Sequence, residues 1–246
     1  MTSGHRWNTV GDEFVRLLVA EYQVEGRIHW PTVIGASACL CGETALMAHE
    51  TRMPERGCVD SPRVATLIHD GDVKTRTIWG YSTAIAKQAY GIDTENLPTY
   101  RNVILQLGTQ LRPSAFPALD VPLHLAPQDT PMNAGPRVRR TIHEIATREG
   151  IQSSDSAFAL ATATMKMIGS AQNLGILDLT CLALQCYVAG SRFAPLVEAE
   201  ANPATGRVTL AVPAEAAGQD EDEPQMPAAA AVAAALSGDT GFGRRR

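Results

Sequence analysis

PTVIGASACLCGETALMAHE, residues 31–50, is apolar on almost every side and begins with a proline, which the first turn of a helix accepts. A helix that is apolar all round is surrounded by other helices in a folded protein. Small residues recur along it at intervals of three and four and therefore share one stripe: Gly35, Ala38, Gly42 and Ala45. We expect the backbone of a neighbouring helix to come close along that stripe.

The composition of the 246-residue chain favours helices over sheets. Aromatic residues make up only 5% of it, which disfavours a β-sandwich or barrel, and abundant alanine favours closely packed helices. The formal net charge of −5 provides no general attraction to nucleic acid or to an anionic membrane, so neither is an expected partner. No secretory signal pattern is visible at the start of the chain, and we expect a cytoplasmic location.

Apolar periodicity predicts seven further helices. Their expected bounds are residues 9–25, 62–68, 78–90, 98–111, 136–149, 153–168 and 176–189. The last of these is nearly all apolar, so it is predicted to lie at the centre beside the helix at 31–49. The predicted fold is an all-α multi-helix bundle over residues 8–198, with these two central helices inside a sheath of amphipathic ones.

The segment that joins the helices at 98–111 and 136–149 has a different texture. Prolines recur every four or five residues and forbid a regular helix: Pro113, Pro117, Pro122, Pro127, Pro131 and Pro136. Because apolar residues lie between these prolines, we predict an extended strap, residues 113–136, across the surface of the bundle. After the bundle, a short β arm is predicted within 199–213 and a disordered low-complexity tail at 214–246.

Glu43 interrupts the apolar surface of the 31–50 helix, and two interpretations of it stay open. A buried carboxylate must be paired, hydrogen-bonded or protonated, because an isolated buried charge costs several kcal/mol. Glu43 is either a functional acid or metal ligand, in a pocket with His49, Glu50 and His124 of the strap, or a structural residue. In the structural interpretation it marks the polar edge of the helix or pairs with one arginine.

Other patterns that carry chemistry give no specific prediction. Cys39 and Cys41 are two residues apart, so on a helix they point about 200° from each other and cannot share one ion. The five cysteines are predicted to be reduced thiols, most of them buried in the core. No phosphate-binding loop, nucleophile elbow or zinc motif is present, and we predict no cofactor and no metal. Whether the protein is an enzyme stays open.

Two basic surfaces suggest partners. Arg137, Arg139, Arg140 and Arg148 lie on one predicted helix, where they form either a phosphate-binding face or an ordinary solvated face. The chain ends in a second basic group that includes an aromatic residue: Phe242, Arg244, Arg245 and Arg246. On a flexible tether, this tip is a candidate linear motif for binding another protein.

Three features occur in order in the first part of the chain: the apolar helix, the segment GCVDSPRVATL at residues 57–67, and Ile78-Trp79-Gly80. With these features the chain resembles a group of uncharacterised, mainly alphaproteobacterial proteins over about the first hundred residues. The resemblance implies a bacterial, cytoplasmic, helical protein, and it implies no activity.

The leading functional hypothesis is a non-catalytic helical interaction protein. It would bind another protein, or a second copy of itself, through its body or its C-terminal Phe/Arg tip. The alternative is an enzyme or a small-ligand or metal-binding protein with its pocket around Glu43.

Overall fold

The computed structural model describes residues 3–50, 54, 57–69, 77–108 and 116–196. Within these ranges the chain forms eight α-helices and one two-stranded hairpin. The helices are α1 (Ser3–Tyr22), α2 (Trp30–His49), α3 (Pro62–Ile68), α4 (Ile78–Tyr90), α5 (Tyr100–Gly108), α6 (Ala134–Arg148), α7 (Ser153–Ser170) and α8 (Ile176–Gly190). The predicted all-α multi-helix bundle is confirmed. The predicted β arm at 199–213 and tail at 214–246 lie outside the described residues.

Helix α2 is the centre of the bundle and packs against both α7 and α8. Every residue from Pro31 to Glu43 is buried. By length and composition, α2 is the one described helix that could cross a membrane, but 83% of its most apolar window is buried among the other helices. Gly42 lies so close to α8 that a Cβ atom there would be 2.6 Å from the amide nitrogen of Ser191. This contact confirms the close approach predicted from the stripe of small residues.

The two predicted central helices, α2 and α8, are buried, and helix α7, which was predicted to belong to the surrounding sheath, is central as well. Its residues are buried without interruption from Ser156 to Met165. Thr162 and Thr164 donate their hydroxyl protons to carbonyl oxygens one turn back, at 2.8 Å in each case. Because these hydroxyls are satisfied within the helix, they can enter the core at little cost.

The first helix ends three residues earlier than predicted. After α1 the chain forms a hairpin in which β1 (Gln23–Val24) pairs antiparallel with β2 (Arg27–Ile28). The two turn residues have left-handed backbones, with φ of 50° at Glu25 and 75° at Gly26. Such a two-residue turn matches the twist of paired strands, and therefore a glycine that was expected to end a helix makes a hairpin instead.

Local capping signals placed other helix ends correctly. The Ser61 hydroxyl accepts a hydrogen bond from the Val64 amide at the start of α3, and Thr77 does the same for Gly80 in α4. Gly91, with φ of 68°, ends α4 as predicted. Helix α5 is described only to Gly108, because residues 109–115 lie outside the described ranges.

The strap is described from residue 116 to its junction with α6. It is largely irregular and includes short 3-10 turns at Leu123–Leu125 and Pro131–Asn133. The second of these turns packs on α2, where Pro127 and Pro131 both come within 3.4 Å of the position that a Cβ atom would take on Gly35. Leu125 is fully buried and joins the strap to the core. The described part of the strap therefore crosses the surface of the bundle as predicted, but it is irregular with two short 3-10 turns rather than extended throughout.

Candidate functional site

Glu43 is buried, with 4% of its surface exposed, and it is paired with one arginine. The guanidinium of Arg139 on α6 donates from Nε to Glu43 Oε1 at 2.7 Å. A second nitrogen of the same group, Nη2, donates to the carbonyl oxygen of Leu196 at 2.8 Å. Glu43 therefore has the arginine partner that the structural interpretation predicted.

The environment of Glu43 favours the neutral form of its carboxyl group. Burial raises the pKa of Glu43 above its ordinary value, and the hydrogen bond and positive charge of Arg139 offset part of the increase. Gly135 of α6 makes room for the pair, since a Cβ atom there would lie 2.6 Å from Arg139 Nη2 and 2.7 Å from Glu43 Oε2. Any larger residue at position 135 would push the two charged groups apart.

The other residues of the predicted pocket have separate environments. The Ser61 hydroxyl donates a very short hydrogen bond to Oε1 of Glu50, which joins the end of α2 to the start of α3. His49 is partly exposed at the end of α2, and His124 is exposed on the strap. In the ranges that the structure covers, no three His, Cys, Asp or Glu side chains are arranged to hold a metal ion.

A cleft of about 100 Å³ lies beside Arg139, between α2, α6 and the start of α7. Its apolar walls are Met47, Ile142, Ala146 and Ile151. Hydroxyl groups and one imidazole complete its lining: Thr44, His143, Thr147, Ser153 and Ser156. None of the four predicted pocket residues lines this cleft, although Arg139 links it to Glu43.

The strap is fixed to the bundle by one side chain of α8. The Oε1 atom of Gln185 accepts the Asp120 amide proton at 2.7 Å, and its Nε2 donates to the Asp120 carbonyl oxygen at 3.0 Å. Gln185 is buried, and both of its polar atoms are satisfied. The sequence pattern did not predict this role. The available signal was a lone glutamine inside the otherwise apolar stretch LALQCYV.

A second anchor holds the strap near α6. Thr32 Oγ1 on α2 accepts the Gln128 amide proton at 2.8 Å. Between the two anchors the side chain of Leu123 is 91% exposed. It lines a groove of about 460 Å³ that the strap forms, together with Phe116, Leu119, Val121 and Pro127 among others. The backbone that carries this exposed apolar side chain is thus fixed to the bundle on both sides.

The basic face of α6 is balanced by carboxylates. Its four arginines form five ion pairs: Arg137 with Asp129, Arg139 with Glu43, Arg140 with Glu144, and Arg148 with both Glu13 and Glu149. Each guanidinium has a partner within the protein, so this face presents little uncompensated positive charge.

The cysteines of the core are inert thiols. Cys39, Cys41 and Cys186 are buried, and Cys41 donates to the Ala157 carbonyl oxygen at 3.1 Å. Burial raises the pKa of Cys39 and Cys41 well above the ordinary value. Because the thiolate is the reactive form, these two thiols are poor nucleophiles. The tip residues Phe242, Arg244, Arg245 and Arg246 lie outside the described residues.

No protein-family profile, curated protein or solved structure matches this chain significantly. The class of protein therefore follows from its own geometry. It is an all-α helical bundle with a buried ion pair, a small apolar cleft and an anchored surface strap.

Proposed function

We propose that this chain is a non-catalytic helical interaction protein that binds another protein through its strap, with Leu123 as the anchoring side chain. The observation that carries the proposal is the contrast between Leu123, which is 91% exposed, and Leu125, which is fully buried two residues later. The buried leucine and the two backbone anchors fix the turn that presents the exposed one. A pre-positioned apolar group loses little conformational freedom on binding, which favours its use as a contact.

The composition of the strap indicates the chemistry of the partner. Residues 116–133 contain Asp120 and Asp129 but no lysine or arginine, and of the two aspartates Asp129 is paired with Arg137 of α6. The groove beside Leu123 is lined largely by apolar side chains and prolines. A complementary partner segment would carry apolar side chains for the groove and basic residues beside them, because opposite charges around an apolar contact favour the correct orientation.

The experiment compares the proteins captured by four purified versions of the chain. Wild type and Leu105→Asp are expected to retain the same partner, and Leu123→Asp is expected to lose it. Leu105 is the matched control because it is also an exposed leucine, at 40%, on α5. The captured partner, once purified, must bind wild type at least tenfold more tightly than Leu123→Asp. Equal affinities would overturn the strap as the binding surface.

The fourth version lacks residues 214–246 and tests the C-terminal tip separately. Our proposal assigns the main contact to the strap, so this deletion should retain the partner. Loss of the partner only in the deletion would assign binding to Phe242, Arg244, Arg245 and Arg246 instead. Analytical ultracentrifugation of wild type and Leu123→Asp shows whether the partner is a second copy of the chain.

The alternative function, an enzyme or a small-ligand or metal-binding protein, is favoured by one observation. Arg139 both pairs with Glu43 and lines the cleft, so a ligand in the cleft would touch the ion pair. Metal analysis of wild type and Glu43→Gln tests this alternative directly. One equivalent of metal in wild type that is lost in Glu43→Gln would support a site at Glu43 and replace the interaction proposal.

The proposal includes a cytoplasmic location. All five cysteines are free thiols, which is typical of proteins kept in a reducing compartment. Fusion to a fluorescent protein, with fractionation of the cells, checks this part independently of any partner.

A further inference from the structure

The cleft between α2, α6 and the start of α7 has the size of a site for one side chain. Its volume of about 100 Å³ is below the ~150 Å³ of a cavity that holds benzene. Pockets for cofactors and drug-sized ligands begin at about 300 Å³. Size therefore favours a single aliphatic side chain over a small-molecule ligand.

The rim of the cleft is unusually apolar for a surface. Met47 on α2 is 45% exposed there, and Ile142 and Ala146 form the floor. An exposed methionine above an apolar floor is a surface that another apolar group would cover favourably. An occupant would remove both from water.

The described part of the chain ends at this rim. Arg139 lines the cleft and also donates to the carbonyl oxygen of Leu196, the last described residue. Fifty residues, 197–246, follow that point. They begin beside the cleft, so a segment among them has a high effective concentration there. A separate partner protein lacks this advantage.

One segment of those fifty has suitable side chains. Val208, Leu210 and Val212 place three branched aliphatic groups within five residues. Eleven residues, 197–207, connect them to Leu196, enough to span about 35 Å when extended. The alanine run at 228–235 offers mostly single methyl groups, and its longer tether makes loop closure less favourable.

We infer that residues 208–212 of the chain itself dock on the cleft, with the side chain of Leu210 inserted between Met47, Ile142 and Ala146. This contact is independent of the strap and of the partner proposed for it. It covers the apolar rim beside Arg139.

Photo-crosslinking in the full chain tests the inference. The photoreactive amino acid p-benzoyl-L-phenylalanine replaces Met47, and fragment spectra locate the crosslinked residues after digestion. We expect crosslinks within residues 208–212 of the same chain, and mixed isotope labelling identifies any crosslink to a second copy. The same probe at Leu105 of α5 is the matched control and should not reach 208–212. Crosslinks from position 47 to other tail residues, to a second copy or to nothing would overturn the inference.

Two substitutions in the tail provide a second readout that does not alter the bundle. Leu210→Asp should reduce the crosslink from position 47 at least tenfold, whereas Val232→Asp in the alanine run should leave it unchanged. Hydrogen exchange is the independent measurement. In Leu210→Asp, the amides of Ile142 and Ala146 should exchange several times faster than in wild type, and equal exchange would contradict docking.

Discussion

Glu43 shows how one residue can be recognised from sequence without its role being recognised. Its position in an apolar helix marked it as a carboxylate that would need a partner if buried, and the structure shows that it is buried and paired. The partner, Arg139, lies 96 positions away on a helix whose four arginines looked equivalent. Only packing distinguishes Arg139 from its neighbours, because Gly135 admits its guanidinium to the core. Pairwise contacts across the fold leave no mark in local spacing, so the site was predictable only in part.

Removal of Arg139 should cost more stability than removal of the charge on Glu43. Arg139→Met leaves a buried carboxylate unpaired, and we expect a loss of roughly 2 to 3 kcal/mol at pH 7. Glu43→Gln keeps an acceptor for the guanidinium and buries no negative charge, so its stability at pH 7 should lie within about 1 kcal/mol of wild type. The double variant Glu43→Met/Arg139→Met should be more stable than Arg139→Met alone, because no charge remains buried. Urea denaturation of the four proteins measures these differences, and a double variant weaker than Arg139→Met would contradict the argument.

The pH dependence of stability should reveal the raised pKa of Glu43. A carboxyl whose pKa is higher in the folded protein holds its proton more tightly there, so its contribution to stability falls as the pH rises. We expect the unfolding free energy of wild type relative to Glu43→Gln to be constant at low pH. It should decline as the pH rises from about 4.5, the ordinary pKa, through the raised value.

In Arg139→Met the pKa of Glu43 should be raised further, because the positive charge is gone while the burial remains. The decline of stability with pH should therefore extend to higher pH than in wild type. Denaturation of the three proteins between pH 4 and 8 measures the curves. A difference that grows with pH would show that the ion pair outweighs burial and lowers the pKa instead.

At the scale of helices, the sequence predicted where most helices end better than it predicted which of them are buried. Ser61 and Thr77 cap helices through hydrogen bonds to amides three residues on, and such short-range chemistry is visible in a local pattern. The burial of α7 was missed because its threonine hydroxyls bond back within the helix, which a polarity pattern cannot represent. The anchor at Gln185 was missed because its partner is a backbone group of the distant strap.

The contact between α2 and α8 should be sensitive to a single methyl group. Gly42→Ala would place a Cβ atom against the Tyr187 carbonyl and 2.6 Å from the Ser191 amide nitrogen, and neither backbone group can rotate away. We expect a loss of about 3 kcal/mol, at the upper end for overpacking. Gly35→Ala is the matched control on the same helix, since its nearest neighbours are proline carbons at 3.4 Å.

In Gly35→Ala the ordinary contact distance and the better helix propensity of alanine, worth about 1 kcal/mol, should keep stability equal to wild type or above it. Thermal and urea denaturation of both variants provide the comparison. Equal losses in the two would show that α2 and α8 are not in close backbone contact.

For the whole molecule, the fold class and the central helix α2 were predictable from the sequence. The arrangement of the other helices and of the strap around α2 was not. Period, composition and caps indicated an all-α bundle with α2 at its centre, and each of these is a property of neighbouring residues. The choice of which helices surround α2 depends on long-range contacts, and so does the course of the strap over α8. One hydrophobic cluster nevertheless includes residues of every described helix, from Val10 in α1 to Ala189 in α8.

This single core predicts that the described helices unfold together. Chains of this size often populate intermediates, and separate cores would make different probes report different transitions. Trp7 stacks on Phe158 of α7 at 4.6 Å between ring centroids, whereas Trp79 lies edge-on to Tyr100 of α5 at 5.6 Å. The two tryptophans therefore monitor different sides of the bundle.

Single-tryptophan variants that keep only Trp7 or only Trp79 allow each side to be followed by fluorescence during urea denaturation, with far-UV circular dichroism as the measure of total helix. Coincident midpoints within experimental error are expected, because α2 and α7 join the two sides through shared buried contacts. Phenylalanine is the replacement at the other tryptophans, and the midpoint of each variant is compared only with its own circular dichroism curve. If Trp79 reported an earlier transition than the helix signal, α3 to α5 would form a separate unit, and the bundle would have two cooperative parts instead of one.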